Sequence, residues 1–128
     1  MRLALDTNRY TDLARGLEPT VGLVATADAV FLPFVVVGEL RAGFAAGQRT
    51  ADNERALRRF LGTPGVDMLL ADEQTTLHYA TAFAQLRRQG TPIPTNDIWI
   101  AALVLQHGLV LHARDRHFDH VPQIPRVY

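Results

Sequence analysis

Residues 3–8 read Leu3-Ala4-Leu5-Asp6-Thr7-Asn8. An apolar run stops on a carboxylate, and a hydroxyl and an amide follow at once. Nothing in the run alternates, so it reads as a short strand buried on both faces. Asp6 or Thr7 then caps a helix that Gly16 closes. A buried strand feeding a helix through a polar junction is the repeating unit of a parallel sheet flanked by helices.

The rest of the chain continues that pattern. Pro19 suits the first turn of a second helix running to about Asp28, and Val30 to Pro33 reads as a second strand. A helix carrying Val37, Glu39, Leu40 and Phe44 follows and ends near Gly47. Thr50 is expected to cap another, with Leu57, Phe60 and Leu61 on one face and Arg55, Arg58 and Arg59 elsewhere. Val66 to Leu70 is a third strand. Asp72 starts a long helix in which Leu77, Ala80, Phe83, Ala84 and Leu86 or Arg87 keep helical spacing, and Gly90 stops it. Beyond Pro92 and Pro94, Thr95 or Asn96 caps a helix from Asp97 to His107, closed by Gly108. Leu109 to Leu111 is a fourth strand, His112-Ala113-Arg114-Asp115 a polar turn, and Ile124 to Val127 a short fifth strand. The expected fold is α/β: one domain over residues 1–128, with a twisted, mainly parallel sheet of four to five strands flanked by helices.

Composition sets limits on chemistry. The 128 residues are 48% apolar and 20% charged, an ordinary folded composition able to bury a core without cross-links. There is no cysteine, so disulfide, iron–sulfur and thiolate-zinc chemistry are excluded. Any metal must be held by carboxylate, histidine or carbonyl groups. The apolar start is too short for a secretory signal and no stretch approaches a bilayer span, so the expectation is a cytoplasmic protein without a membrane. Net charge is zero, with 13 arginines, no lysine and 13 acids. If four acids gather at one site, nine acids face thirteen arginines elsewhere, a distribution suited to a metal that meets a polyanion.

Four acids stand at places where such gathering is natural. Asp6 follows the first strand and Asp115 follows the fourth, and ligands of open α/β sheets bind at the carboxyl ends of strands. Asp97 lies in the first turn of a helix. Glu39 sits among Val35, Val36, Val37 and Leu40, an apolar setting where an unpaired carboxylate is costly. Carboxylates brought together repel and raise one another's pKa unless a cation compensates. Mg²⁺, or Mn²⁺ in its place, is the natural partner of oxygen ligands and can act on a phosphodiester. The structural alternatives are helix capping by Asp6 and Asp97, an ion pair of Glu39 with Arg41 or another arginine, and a turn role for Asp115.

The words around these acids go further. Leu5-Asp6-Thr7-Asn8, Val36-Val37-Gly38-Glu39-Leu40-Arg41-Ala42-Gly43, Asn96-Asp97-Ile98-Trp99-Ile100-Ala101-Ala102 and Arg114-Asp115-Arg116-His117-Phe118 resemble the PIN-domain family. They look most like its VapC branch, the RNase component of type II toxin–antitoxin modules. The motifs span nearly the whole chain in the family's order. The resemblance implies helices around a twisted parallel sheet and a Mg²⁺ site in an acidic pocket. Asp6 and Asp97 match the principal metal ligands, and Glu39 and Asp115 complete the pocket directly or through water. Thr7 matches a position whose hydroxyl supports the first Asp. The implied activity is metal-dependent hydrolysis of an RNA phosphodiester, leaving 5′-phosphate and 3′-hydroxyl ends. One departure stands out: the family often has Thr or Ser two residues before its last Asp, and here that position is Ala113. Asp115 then acts through the local field alone, or Asp119 shares its role.

Other residues are weighed beside these. Arg114 and Arg116 flank the site and suit either phosphate contact or an ion pair with Asp115 or Asp119. His117 and His120 are three apart, a metal-site spacing, but a Pro-rich tail without cysteine favours surface or packing roles. His78, His107 and His112 show no partner pattern, and Trp99 is expected in the core. Tyr10, Leu13, Leu17, Val21, Leu23 and Val24 form a core face or, as the resemblance implies, a surface for an amphipathic segment of a VapB-type antitoxin. The resemblance also implies a homodimer. A receiver-type domain would need a lysine, and a haloacid-type phosphatase a second Asp where Asn8 stands. A catalytically weak binding module of the same fold, or a DNA-directed nuclease, remains an alternative, because nothing reads a 2′-hydroxyl.

Overall fold

A computed structural model describes residues 1–128. The elements run β1 (Arg2–Leu5), α1 (Thr7–Ala14), α2 (Thr20–Thr26), β2 (Ala29–Pro33), α3 (Phe34–Ala46) and α4 (Thr50–Leu61). There follow β3 (Val66–Leu69), α5 (Glu73–Gln89), α6 (Thr95–His107), β4 (Val110–His112), a short 3₁₀ turn (Arg116–His120) and β5 (Arg126–Val127). All five strands are parallel, in the order β3-β2-β1-β4-β5. From β1 the chain builds outward to β2 and β3, then returns to the other side for β4 and β5. The reversal lies between β1 and β4, and the carboxyl-end crevice at such a reversal is where open α/β sheets bind ligands.

β1 is central and buried on both faces, with Leu3, Ala4 and Leu5 fully enclosed. Its register sets Leu5 beside His112, and the Asp6 N–H donates to the His112 carbonyl at 3.2 Å. The residues after β1 and β4 therefore emerge side by side. α6 is enclosed almost all round: Ile100, Ala101, Ala102, Leu103 and Val104 are all fully buried. That is the behaviour of a core helix without a polar face. Its first turn, and Asp97 with it, is held by what the core allows. Gly108 adopts φ 62°, turning the chain out of α6 toward β4. No helix is long and apolar enough to cross a membrane.

Several local expectations shift. Thr50 is the first residue of α4 rather than its cap, and its hydroxyl donates to the Phe44 carbonyl at 2.6 Å. α6 begins at Thr95, so neither Thr95 nor Asn96 caps it. Pro94 takes that place with its fixed φ of −56°, and its carbonyl receives the Asp97 N–H at 3.0 Å. On α5 the buried stripe is Thr75, Ala82 and Leu86, leaving Leu77 58% exposed and Phe83 on the open side. The stripe turned because Thr75 is drawn inward: it closes a capping box with Asp72 and donates to Gln106 of α6 at 2.6 Å. His112 belongs to β4, not to a polar turn, and is fully buried. Trp99 is half-buried and packs on Tyr79 with ring centroids 4.1 Å apart.

Candidate metal centre

Asp6 stands at the junction of β1 and α1, and its Oδ1 accepts the Thr7 N–H at 2.7 Å. Capping and site-building are one role here, because the helix that Asp6 starts also holds its carboxylate at the crevice. Only 7% of the residue is exposed. Burial pushes its pKa to about 6, opposed by the Thr7 N–H and reinforced by the charges of Asp97, Glu39 and Asp115.

The other acids arrive on three separate elements. Val36, Val37 and Leu40 bury one side of α3 and leave Glu39 on the crevice side. The Thr7 hydroxyl donates to Glu39 Oε1 at 3.3 Å, so Thr7 ties two of the acids together. Desolvation raises the Glu39 pKa and the charge of Asp97 adds to it, against the Thr7 hydrogen bond. Asp97 rides the first turn of α6 beside buried Ile98 and Ile100. Burial raises its pKa too, opposed by a hydrogen bond from His117 and reinforced by Asp115. Asp115, beyond β4, caps the 3₁₀ turn by accepting the His117 N–H at 2.9 Å.

The turn that Asp115 starts brings in His117, a residue whose sequence context favours the surface or packing. His117 Nδ1 lies 2.8 Å from Asp97 Oδ2 and 3.1 Å from Asp115 Oδ1. Asp97, Asp115 and His117 each offer a ligand atom within 4.8 Å of the others. The signal lay in the words Asp115-Arg116-His117: an Asp that caps a tight turn fixes the residue two ahead of it. No arginine pairs with any of the four acids. Arg41, which would pair with Glu39 in the structural alternative, binds Glu54 at 2.8 Å.

Asp119 is not part of the pocket. In a turn of three residues, a side chain four ahead of Asp115 points about a third of a turn away, and Asp119 pairs with Arg126 and Tyr128. Arg126 also donates to the carbonyls of Ala113 at 2.9 Å and Asp115 at 3.0 Å, bracing the Asp115 loop from behind. Ala113 is fully buried. Arg114 does not pair with Asp115 or Asp119 either. It donates to Asp12, a nearly buried acid that also receives Arg9 Nη1 at 3.1 Å. The Arg114 hydrogen bond, more than Arg9, holds the Asp12 carboxyl below its usual range despite burial. The Arg114 side chain is 48% exposed and close enough to Asp6 to feel its charge. Arg116 is exposed and forms no ion pair. The apolar patch on the early helices is mostly absorbed by the core: Tyr10 is buried, and Leu13, Leu23 and Val24 pack against it, while Leu17 stays exposed.

Five parallel strands in the order 3-2-1-4-5, with acids just after β1, on α3, on α6 and beyond β4, set an acidic crevice at the switch point of an α/β sheet. Residues 4–124 match the PIN domain family model, and the chain belongs to the PIN-domain family. Its relatives carry more particular names. Ribonuclease VapC1 of Haemophilus influenzae (strain R2866) is 33% identical over 114 residues, covering 84% of each chain. The structure of VapBC-1 from nontypeable Haemophilus influenzae superposes with a TM-score of 0.86 at 26% identity, over 99% of this chain and 97% of that one. VapBC2 from Rickettsia felis, bound to a DNA fragment from their promoter, shares the fold with a TM-score of 0.86 at 20% identity, over 99% and 98%.

Proposed function

We propose that this chain is a divalent-cation-dependent endoribonuclease and the toxin of a type II toxin–antitoxin pair. The observation that carries the reading is the convergence of Asp6, Glu39, Asp97 and Asp115 with no arginine ion-paired to any of them, in a chain related to ribonuclease VapC1. The donor set fits Mg²⁺ or Mn²⁺: hard carboxylate oxygens, one of them on a nearly buried acid whose neighbours are also acidic. Asp6 and Asp97 would hold the ion, with Glu39 and Asp115 completing the pocket. When bound, the cation would supply an activated water nucleophile and would neutralise charge developing on the phosphodiester.

The chain's own groups do the positioning. The Thr7 N–H fixes the Asp6 carboxylate and the Thr7 hydroxyl fixes Glu39. His117 holds Asp97 and Asp115 at one spacing. Arg114, with one end anchored on Asp12 and within electrostatic reach of Asp6, would offer its remaining donors to a substrate phosphate at the pocket. Exposed Arg116 extends that basic rim. Strand scission is read as leaving 5′-phosphate and 3′-hydroxyl ends. The partner of the pair, a VapB-type antitoxin, would lay an apolar face in the groove of about 450 Å³ between α1, α3 and α4, lined by Tyr10, Ala14, Leu40, Phe44 and Ala56. A homodimer is expected to set two acidic pockets near each other.

The test is cleavage of a panel of cellular RNAs by purified protein in Mg²⁺, in Mn²⁺ and in chelator, with DNA of the same sequences as a control. Cleavage of RNA that needs the cation and disappears in Asp6→Asn and Asp97→Asn is expected. Full activity in chelator or in either variant would overturn the metal mechanism, and cutting of DNA in preference to RNA would overturn the substrate.

A further inference from the structure

The pocket contains one donor that is not an oxygen. His117 Nδ1 lies 2.8 Å from Asp97 Oδ2 and 3.1 Å from Asp115 Oδ1, with all three donor atoms inside a 4.8 Å span. Adjacent ligands around an octahedral ion with bonds of roughly 2.1 Å lie about 3 Å apart. The separations thus suit one shared cation as well as they suit hydrogen bonds. Without the ion, the Nδ1 proton is donated to Asp97 Oδ2, with Asp115 Oδ1 close beside it; with it, a small rotation of the ring would turn the Nδ1 lone pair from Asp97 to the cation.

The imidazole is also held in place for such a role. Its own backbone N–H is bound to Asp115 Oδ1 at 2.9 Å, and the next residue, Phe118, is fully buried. The turn therefore cannot swing the ring away without uncovering the core. The side chain is nonetheless 45% exposed, which leaves a path for an ion and its waters. Mg²⁺ favours oxygen donors and keeps its water, whereas imidazole suits the first-row transition ions.

We infer that His117 ligates the divalent cation through Nδ1 together with Asp97 and Asp115, and that it tilts the site's preference from Mg²⁺ toward Mn²⁺. The inference rests on the metal-site reading above and specifies which ion that site prefers.

The experiment titrates metal-depleted wild type, His117→Gln and His120→Gln with MnCl₂ and with MgCl₂ by calorimetry, and records pulsed EPR of the Mn²⁺-loaded proteins. His120 is exposed on the same turn and serves as the control. Wild type and His120→Gln are expected to show a directly bound nitrogen coupling that His117→Gln lacks. Loss of the imidazole should weaken Mn²⁺ binding by about tenfold or more, and Mg²⁺ binding by less. Tight Mn²⁺ binding without nitrogen coupling in wild type, or equal losses for the two ions in His117→Gln, overturns the inference and leaves the carboxylate site standing. Failure of wild type to bind either ion overturns the metal-site reading and the inference with it.

Discussion

At the scale of single residues, the site is built from groups the fold would be more stable without. Asp6 titrates near 6 where an unperturbed aspartate has 3.8. Between those values the folded state keeps a proton that the unfolded chain has released, so metal-free stability falls as pH rises through that window. A shift of that size corresponds to about 3 kcal/mol once the window is passed. Asn at this position keeps a capping side chain for α1 and loses the charge. Asp6→Asn is therefore expected to raise metal-free stability by roughly 2–3 kcal/mol at neutral pH, to show almost no gain near pH 4, and to abolish RNA cleavage. Urea unfolding at the two pH values measures the first two effects, and a less stable variant at neutral pH would contradict the assignment. Asp6, Asp97 and Asp115 were legible in the sequence because each abuts a strand end or a helix start within a short motif, and Glu39 because a carboxylate stands out among Val35, Val36, Val37 and Leu40. His117 and Asp12 were not. Their partners depend on how a tight turn aims one side chain and how α1 approaches the end of β4, and neither shows in periodicity.

At the scale of elements, two polar ties hold α1 and α2 to the strands behind the site. Asp12 of α1 takes Arg9 at 3.1 Å and reaches Arg114 just beyond β4. Asp12→Ala leaves Arg9 buried and unpaired, and a loss of about 3–5 kcal/mol is expected by chemical denaturation. Arg114→Ala separates the functions, since this side chain is half-exposed: the fold should persist while kcat/KM on RNA drops roughly tenfold to a hundredfold, mainly through KM. The second tie is His112, whose Nδ1 donates to the Val127 carbonyl at 3.0 Å while the Thr20 hydroxyl donates to Nε2 at 2.8 Å. It joins α2, β4 and β5 through one buried neutral ring, whose pKa burial lowers. Thr20→Val should cost about 1–3 kcal/mol, read by the same denaturation, because Nε2 is left without a partner. Most elements were legible as alternating apolar runs and helical stripes, with boundaries off by a residue or two. The misreadings have two causes: Thr50, Thr95 and Asn96 lie inside helices that begin at or before them, while the direction of His112 is decided by its tertiary partners Thr20 and Val127 rather than by local preference.

At the scale of the molecule, the arrangement of strands makes the pocket. The parallel sheet was legible from buried runs and helical connections, but the strand order was not, because periodicity carries no information about which strand lies beside β1. With the order known, β1 and β4 are neighbours and the pocket follows. Mg²⁺ or Mn²⁺ at a hundredfold excess over Kd should add about 2.7 kcal/mol of stability, seen as a higher Tm near pH 7.5. The increase should shrink near pH 5, because the raised pKa values of Asp6, Glu39 and Asp97 make protons compete with the ion, and it should vanish in Asp97→Asn. No increase near pH 7.5 would contradict the metal reading. The central place of β1 also bears on when activity begins. A chain emerging from the ribosome offers β1, β2 and β3 first, and the strand that completes the pocket, β4, comes last but one. Domains assemble as synthesis proceeds, yet here the first acid waits beside an empty edge until nearly all of the sequence is out. Timing is thereby written into topology: the acidic pocket is complete only once β4 and the Asp115 loop have been synthesised.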